Sequence, residues 1–173
     1  MKPNEQADEL YSAAVAEFGP ALDRLTRAYE AEADARGDLL QEIHIQLWRS
    51  FRQFDGRCSV RTWVYRVAHN VAIRHVMRQR RVQKNLVSLE EAGDAGAFEP
   101  DLSRASALER LSALIQHLKP LDRQIIVLYL EGVDAATTGE VTGLSPANVA
   151  MKIHRIKNIL KRWFEEGGSR DAG

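Results

Sequence analysis

The stretch FDGRCSVRTWVYRVAHNVAIRHVMRQRR, residues 54–81, combines a helical apolar pattern with a row of arginines. After Asp55 no acidic residue occurs until Glu90, and eight basic residues lie between them. The whole chain has 24 basic and 24 acidic residues, so a third of its positive charge falls in one window. A positive surface on a neutral protein indicates a polyanionic partner such as nucleic acid.

The remaining charge is also arranged in blocks. Residues 1–55 carry 11 acids and 6 bases, residues 90–140 carry 10 acids and 4 bases, and residues 141–173 carry 3 acids and 6 bases. Two positive segments are therefore separated by an acidic one. We expect two separate positive surfaces.

The composition restricts the class of protein. A chain of 173 residues that is 45% hydrophobic suits one domain or two small ones. No apolar run reaches the ~20 residues of a membrane span, and the N-terminus lacks a signal-peptide pattern. The single cysteine, Cys58, cannot form an internal disulfide. We expect a cytoplasmic protein without direct membrane insertion, in which Cys58 is an incidental thiol.

Apolar residues follow a helical period almost throughout, which predicts an all-α fold. In the first half we expect helices at about residues 8–18, 20–32, 38–51 and 59–81. Pro20 fits the first turn of the second helix, and Asp38 and Ser59 are N-cap candidates for the third and fourth. A buried stripe is predicted on the third helix: Leu40, Ile43, Leu47 and Phe51.

Residues 88–103 lack an apolar period and are rich in Gly, Ala and acid, which is typical of a flexible linker. Further helices are predicted around 108–118, from Pro120, at about 135–142 and from Ser145-Pro146. The sequence therefore predicts two small helical domains, 1–87 and 104–166, followed by a disordered tail at 167–173.

The stretch ATTGEVTGLSPANVAMKIHRIKNIL, residues 136–160, predicts a helix-turn-helix. Gly139 is small where two helices must cross, and Gly143 permits a left-handed turn. Asn148, Lys152 and Arg155 recur along the outer face of the second helix, which in this motif enters the major groove. An αα-hairpin that only packs, with these side chains solvated, is the alternative.

The basic helix presents a second row: Trp63, Arg66, Asn70, Arg74, Arg78 and Arg81. Arginine side chains bind phosphates, an aromatic ring can stack on an unstacked base, and an amide can form hydrogen bonds to the edge of that base. Single-stranded or melted DNA is therefore a better candidate for this row than duplex DNA. For Trp63 alone we favour a position in the core. For the acid-free row as a whole we favour nucleic-acid binding.

The order of these parts resembles the extracytoplasmic-function sigma factors of bacterial RNA polymerase. The phrase F-x-G-x-x-S-x-x-T-W-x-x-R-x-A-x-N of that family stands at residues 54–70, within a segment similar to region 2. LKPLDRQIIVLYLEGV and LSPANVAMKIHRIKNIL are similar to region 4. The resemblance covers nearly the whole chain except the linker and the tails.

The resemblance implies a role for each segment. One face of the third helix would bind the β′ clamp helices of core RNA polymerase through Asp38, Gln41, Glu42, Ile45 and Trp48. The basic helix and its preceding loop would recognise and melt the minus-10 element, with a flipped base near 54–63, through Arg57, Arg61, Thr62, Trp63, Arg66, Asn70, Arg74 and Arg78. The last helix would read the minus-35 element through Ser145, Asn148, Lys152, Arg155 and Lys157.

Region 4 would also touch the polymerase β flap, and relatives are often held by an anti-sigma factor that these residues do not identify. The chain departs from the family where Ile and Ala are frequent, at Thr138 and Gly139, and where Lys or Arg is frequent, at Ala150. Because glycine costs about 1 kcal/mol against alanine, the first helix of the motif is expected to be less stable.

Three other classes of protein share some of these features. A free-standing helix-turn-helix regulator would not need a basic helix with a tryptophan far upstream. A helical polymerase-binding adaptor would use the 38–51 surface without DNA. An enzyme is disfavoured, because Glu90, Glu91 and Asp94 lie in the linker without a partner histidine. The histidines show no metal spacing, so we expect no metal, no cofactor and no small-molecule substrate.

Overall fold

The computed structural model describes residues 3–87 and 106–170, and describes side chains for residues 5–81 and 106–165. These residues form seven helices: α1 (Pro3–Tyr29), α2 (Ala33–Phe51), α3 (Val60–Val87), α4 (Ala107–Gln116), α5 (Pro120–Leu130), α6 (Ala135–Thr142) and α7 (Pro146–Arg170). The all-α prediction is confirmed. The predicted linker at 88–103 lies outside the described residues. None of the described helices is long and apolar enough to cross a membrane.

The predicted break at Gly19-Pro20 is wrong, because α1 is continuous with Pro20 inside it. A proline removes one helical hydrogen bond and clashes with the preceding turn. Phe18 precedes Pro20, and Leu22 and Leu25 follow it; all three are at most 4% exposed. Burial on both sides of the proline offsets the lost bond, so tertiary packing decides the continuity of this helix.

The predicted start of α2 at Asp38 is also wrong. The helix begins at Ala33, after Glu32, and Asp38 lies within it. The backbone N–H of Glu32 is bound by the Glu30 carboxylate at 3.0 Å, which supports the earlier start. The buried stripe contains Leu39 instead of Leu40, which is only partly buried.

Start and stop signals of the later helices agree with the expectations. Ser59 Oγ accepts a hydrogen bond from the Thr62 N–H at 3.0 Å and caps α3. Pro120 begins α5, and Gly143 has a left-handed φ of 78° between α6 and α7. The last helix, α7, ends at Arg170, within the segment 167–173 that was expected to be a disordered tail; residues 171–173 lie outside the described part.

The N-terminal helix group (α1–α3) and the C-terminal helix group (α4–α7) pack against each other, an arrangement that the sequence left open. Two buried apolar clusters contain residues of both groups, and the smaller one consists of Ala21, Tyr65, Leu128, Val133 and Val141. Its members come from α1 and α3 on one side, and from α5, α6 and the loop between them on the other. This contact places α6 beside the first turns of α3.

Candidate nucleic-acid interfaces

The basic face of α3 begins directly after its N-cap, with no acidic residue in the first turn. Asn70, Arg74 and Arg78 are exposed on this helix. Arg78 lies 3.2 Å from the Glu42 carboxylate in an exposed ion pair. Exposed pairs of this kind contribute about 0–1 kcal/mol, so a DNA phosphate could replace this one at little cost. The face is therefore available to a polyanion over these turns.

The loop before α3 supplies further positive charge. Arg57 is exposed and pairs with Asp55 at 2.9 Å. Arg61 is exposed and lies 6.0 Å from the centre of the Phe18 ring. Both guanidinium groups lie near the start of the basic row and could reach a phosphate there.

Trp63 is partly buried and fixed by two contacts. Its indole N–H donates to Ser50 Oγ at 2.9 Å, and its ring lies edge-on to Phe54 with centroids 5.3 Å apart. It packs against the core, as favoured from the sequence for this residue alone. The remaining part of Trp63 faces a cavity, so the side chain has both a structural contact and an accessible surface.

That cavity has a volume of about 500 Å³ and lies where the resemblance placed a flipped base. Its lining is Asp55, Arg57, Cys58, Trp63, Arg66 and Glu140. Pockets of about 300–1,000 Å³ are typical for small ligands. Aromatic surface beside two guanidinium groups suits a nucleobase and its phosphate, whereas the two carboxylates oppose a phosphate.

Glu140 of α6 accepts hydrogen bonds from two side chains of the basic helix α3. The Thr62 hydroxyl donates to Glu140 Oε2 at 3.0 Å, and the Arg66 guanidinium donates to the Glu140 backbone carbonyl at 2.9 Å. Thr62 is only 1% exposed in this arrangement. In the first turns of α3, Thr62 is thus buried and Arg66 is partly buried, whereas Arg61 and the predicted minus-10 residues of the later turns are exposed.

The predicted polymerase-binding residues lie on the outer side of α2. Asp38, Gln41, Ile45 and Trp48 are exposed, and Glu42 is partly exposed. Ile45 and Trp48 are 42% and 37% exposed, which is unusual for large apolar side chains. Trp48 is held by Asp8, which accepts its indole N–H at 2.8 Å, and by Arg52 over its ring. The arrangement gives an apolar patch with acidic flanks, which suits a protein partner.

The helix-turn-helix is built from α6 and α7. Asp134 caps α6, since its carboxylate accepts from the Thr137 N–H at 2.8 Å. Ser145 caps α7 through the Asn148 N–H at 3.3 Å. Gly139 lies where the helices meet: a Cβ added there would be 2.6 Å from the Leu144 carbonyl oxygen. The close approach at Gly139 is therefore to the backbone of the turn between α6 and α7, whereas the sequence predicted it to the second helix itself.

Asp122 of α5, which the sequence did not single out, organises the basic side of α7. Its carboxylate accepts from Lys152 at 2.8 Å and from Arg155 at 3.2 Å. Asp122 is 8% exposed, so the two bonds offset the cost of burying its charge. The Arg155 side chain remains 61% exposed, whereas Lys152 is 28% exposed. Arg155 is thus better placed to reach DNA.

Lys157 does not share a face with Asn148 and Arg155. Its ammonium lies 3.4 Å from the Tyr129 hydroxyl and 5.3 Å from the centre of that ring, on the side of α7 that meets α5. Met151 lies on the outer face instead and is 66% exposed. An apolar side chain between Asn148 and Arg155 is a signal for contact with a thymine methyl group, and sequence reasoning missed it.

Among the described residues no group of three or more His, Cys, Asp and Glu side chains could hold a metal ion. Two of the histidines form hydrogen bonds with other side chains instead. Buried His69 accepts or donates a hydrogen bond at 2.9 Å with the Tyr29 hydroxyl, and His75 contacts Glu30 at 2.8 Å.

Two family models match the chain: Sigma-70 region 2 at residues 14–82, and Sigma-70, region 4 at residues 108–160. The chain is 26% identical over 166 residues to RNA polymerase sigma factor YlaC of Bacillus subtilis, covering 94% of each. It is 25% identical over 135 residues to ECF RNA polymerase sigma factor SigX of the same organism, covering 74% of this chain and 70% of the relative.

Two solved structures share the fold. CnrH, in complex with the cytosolic domain of CnrY, superposes with a TM-score of 0.67 at 20% identity, over 94% of this chain and 97% of that chain. The sigma factor RpoE from Bartonella quintana, in complex with the anti-sigma factor NepR, gives a TM-score of 0.67 at 16% identity, over 90% and 96%.

Proposed function

The chain belongs to the sigma-70 family of RNA polymerase sigma factors, in its extracytoplasmic-function group, and we propose that the surfaces described above carry its separate tasks. As a sigma factor it directs promoter-specific initiation of transcription. The proposal concerns which residues bind the polymerase and which bind the two promoter elements. We assign no catalysis to the chain and place its action in the cytoplasm.

For the minus-10 element we propose the α3 face with its preceding loop. Arg57, Arg61, Arg74 and Arg78 would bind phosphates, and Asn70 would meet a base edge. Trp63 and the cavity beside it would receive an unstacked base, with Thr62 and Arg66 completing the site once Glu140 has left it. The single observation that supports this most is the cavity at Trp63, which joins aromatic and guanidinium surface on the basic helix.

For the minus-35 element we propose the outer face of α7. Asn148, Met151 and Arg155 lie along it and are exposed. Asn can pair with adenine, a methionine side chain can pack on a thymine methyl, and Arg can pair with guanine or phosphate. Ser145 at the helix start would contact the backbone. Lys152 would position Arg155 through their shared bonds to Asp122.

For core RNA polymerase we propose the α2 patch of Ile45 and Trp48 with its acidic flanks, docking on the β′ clamp helices, while region 4 contacts the β flap. An anti-sigma factor is a further proposed partner. One solved structure of the same fold contains an anti-sigma factor bound to a sigma factor, and that likeness of fold supports the proposal.

The test is complex formation with purified bacterial core RNA polymerase, followed by size-exclusion chromatography and native mass spectrometry. The wild-type chain should co-elute with the polymerase at a one-to-one ratio. An Ile45→Ala/Trp48→Ala variant should lose the complex, because hot spots of binding are buried apolar and aromatic anchors. Met77→Ala is the matched control, since Met77 is an apolar side chain 53% exposed on α3, outside this patch and outside region 4.

If the wild-type chain forms no complex and instead binds duplex DNA alone as a dimer, a free-standing helix-turn-helix regulator is the better description. If the double variant binds like the control, the patch on α2 is not the polymerase contact.

A further inference from the structure

We propose that Asp122 is a specificity-determining residue for the minus-35 element, because its carboxylate holds Arg155 in one orientation at the edge of the DNA-binding face of α7. In this role Asp122 lowers the affinity for DNA of any sequence and raises the discrimination between sequences. The inference rests on the proposed function of α7. It adds a positioning residue on α5, which acts on DNA through Arg155 without touching the DNA itself.

Asp122 divides its carboxylate between two cations of α7. Its Oδ1 accepts a hydrogen bond from Lys152 Nζ at 2.8 Å, and its Oδ2 accepts one from Arg155 Nη2 at 3.2 Å. Asp122 is 8% exposed and lies in the first turn of α5. A short side chain that is buried on a helix has little freedom, so it can fix the position of a longer and more mobile one.

The two cations differ in their access to solvent. The Lys152 side chain is 28% exposed, whereas that of Arg155 is 61% exposed. By the helical period, Arg155 lies one turn beyond Met151 and Lys152 and between the two around the helix. Lys152 therefore faces α5 and balances the charge of Asp122. Arg155 keeps its positive charge at the edge of the outer face, although it is held by an acid.

The carboxylate has a cost in general affinity for DNA. Cations that neutralise phosphates release counterions, and this effect supplies most of the binding that does not depend on sequence. Asp122 with its two partners combines one negative and two positive groups, so the three carry one net positive charge instead of two. An arrangement selected only for affinity would leave out the acid, which indicates that the acid contributes something else.

That contribution is the choice between two contacts of the same guanidinium. A free arginine can turn to the nearest phosphate, and this contact is the same on every sequence. To recognise guanine, by contrast, its N–H groups must meet the N7 and O6 atoms in the plane of the base. Because Asp122 binds Nη2 and the guanidinium is planar, the direction of the remaining N–H groups is restricted. Asp122 thus favours the base contact over the phosphate contact.

The test uses the full chain assembled with bacterial core RNA polymerase and a pool of promoter duplexes randomised in the minus-35 region. Sequencing of the bound and unbound fractions gives the relative affinity for each base at each position. Asp122→Asn should lower the preference at the base pair read by Arg155 by at least about fivefold, because the released guanidinium no longer has a fixed orientation. The preferences at the other positions should be retained.

The opposite effect is measured with the free chain at low salt and a fluorescent duplex of mixed sequence. Asp122→Asn should bind this duplex about two- to fivefold more tightly than the wild type, and its affinity should fall more steeply with salt. A purely structural ion pair would change the unfolding midpoint but neither of these properties. Glu165→Gln is the matched control, since it removes an acid that is 66% exposed on α7, and it should leave the base preferences unchanged.

Arg155→Ala identifies the base pair and separates this proposal from the minus-35 assignment. It should remove the same preference without a gain in affinity for the mixed duplex, and Asp122→Asn/Arg155→Ala should behave like it. If Arg155→Ala leaves every preference unchanged, Arg155 does not read the minus-35 element and both proposals fail at this residue. If Arg155→Ala removes a preference that Asp122→Asn retains, or if Asp122→Asn gains no affinity for the mixed duplex, only the role of Asp122 is overturned.

Asp122→Glu decides the question if urea denaturation shows that Asp122→Asn does not fold. The longer side chain retains the charge but displaces the carboxylate by one methylene group. It should therefore lower the preference at this base pair without a gain in affinity for the mixed duplex. A wild-type preference in Asp122→Glu would then overturn the proposal.

Discussion

The Thr62 hydroxyl of α3 donates a hydrogen bond of 3.0 Å to Oε2 of Glu140 on α6, although 78 residues separate the two in sequence. The first of these residues belongs to the phrase that resembles region 2, and the second to the helix-turn-helix. A hydroxyl proposed to bind promoter DNA is thus satisfied by a carboxylate of the same chain. If Thr62 binds promoter DNA as proposed, this bond has to be replaced, which would link DNA binding to the relative position of the two helix groups.

Asn70→Ala should impair open-complex formation without loss of stability or of polymerase binding. Asn70 is exposed on α3, and its amide is proposed to meet a base edge. Potassium permanganate footprinting of the melted region should show reduced reactivity, while co-elution with core polymerase stays unchanged. Equal loss of both would remove Asn70 from the minus-10 site.

Trp63→Ala should affect both function and stability, because the indole packs on Phe54 and donates to Ser50. We expect a loss of about 1–3 kcal/mol in the free energy of unfolding, less than for a fully buried aromatic residue. Trp63→Phe keeps the packing but removes the N–H, and should recover most of the stability. Urea denaturation measures this, and an unchanged unfolding midpoint in Trp63→Ala would contradict the packing role.

Arg155→Ala should weaken discrimination of the minus-35 sequence by about 1–3 kcal/mol if the guanidinium reads a base. Met151→Ala should cost about 1 kcal/mol, and only on promoters with a thymine opposite this side chain. Binding of the holoenzyme to promoters with single base changes in the minus-35 element measures both. Lys157→Ala is the control on the same helix, since Lys157 faces Tyr129. A larger effect of Lys157 than of Arg155 would reverse this assignment.

Elements with local chemical signals could be predicted from the sequence. Ser59, Pro120 and Gly143 each determine a helix boundary through a cap, a missing N–H or a left-handed turn, and each stands where it was expected. The continuity of α1 through Pro20 could not be predicted, because it depends on the tertiary packing that buries Phe18, Leu22 and Leu25 on both sides of the proline. The early start of α2 was missed for a different reason, since it is accompanied by a local hydrogen bond from the Glu32 N–H to the Glu30 carboxylate.

Some residues of the functional surfaces could be placed from the sequence, and others could not. Helical period alone places Lys157 on the opposite side of α7 from Asn148, since nine residues make about two and a half turns. By the same period, Met151 lies beside Asn148 and could have been found. The contact of Glu140 with Arg66 could not, because alternating charge blocks indicate complementary segments but do not select which of ten acids in residues 90–140 meets the basic helix.

Stability should fall in mild acid because of His69. This side chain is fully buried, and burial lowers its pKa from 6.5 to about 3. The unfolded chain then binds the proton more readily than the folded one. The stabilisation is fully present above pH 6.5 and is lost as the pH falls towards the folded pKa, with a slope of at most about 1.4 kcal/mol per pH unit.

The measurement is urea denaturation at pH 7 and pH 5. The wild-type chain should lose about 1–2 kcal/mol more than His69→Gln over this interval, because the amide does not titrate. His154→Gln is the control at an exposed histidine and should behave like the wild type. The same pH dependence in His69→Gln and in the wild type would show that His69 does not contribute to it.

Gly139→Ala should destabilise the chain although alanine favours a helix by about 1 kcal/mol. A Cβ at this position would lie 2.6 Å from the Leu144 carbonyl oxygen, and the neighbouring contact is backbone that cannot rotate away. Moving α6 against the turn should cost about 1–3 kcal/mol, which outweighs the gain in propensity.

Gly37→Ala is the matched control within α2, because nothing lies within 4 Å of the added Cβ, and it should stabilise the chain. Thermal unfolding of both variants decides between the two effects: a lower midpoint for Gly139→Ala beside a higher one for Gly37→Ala is expected. A higher midpoint for both would mean that the turn can yield, and that glycine at this position only weakens the helix.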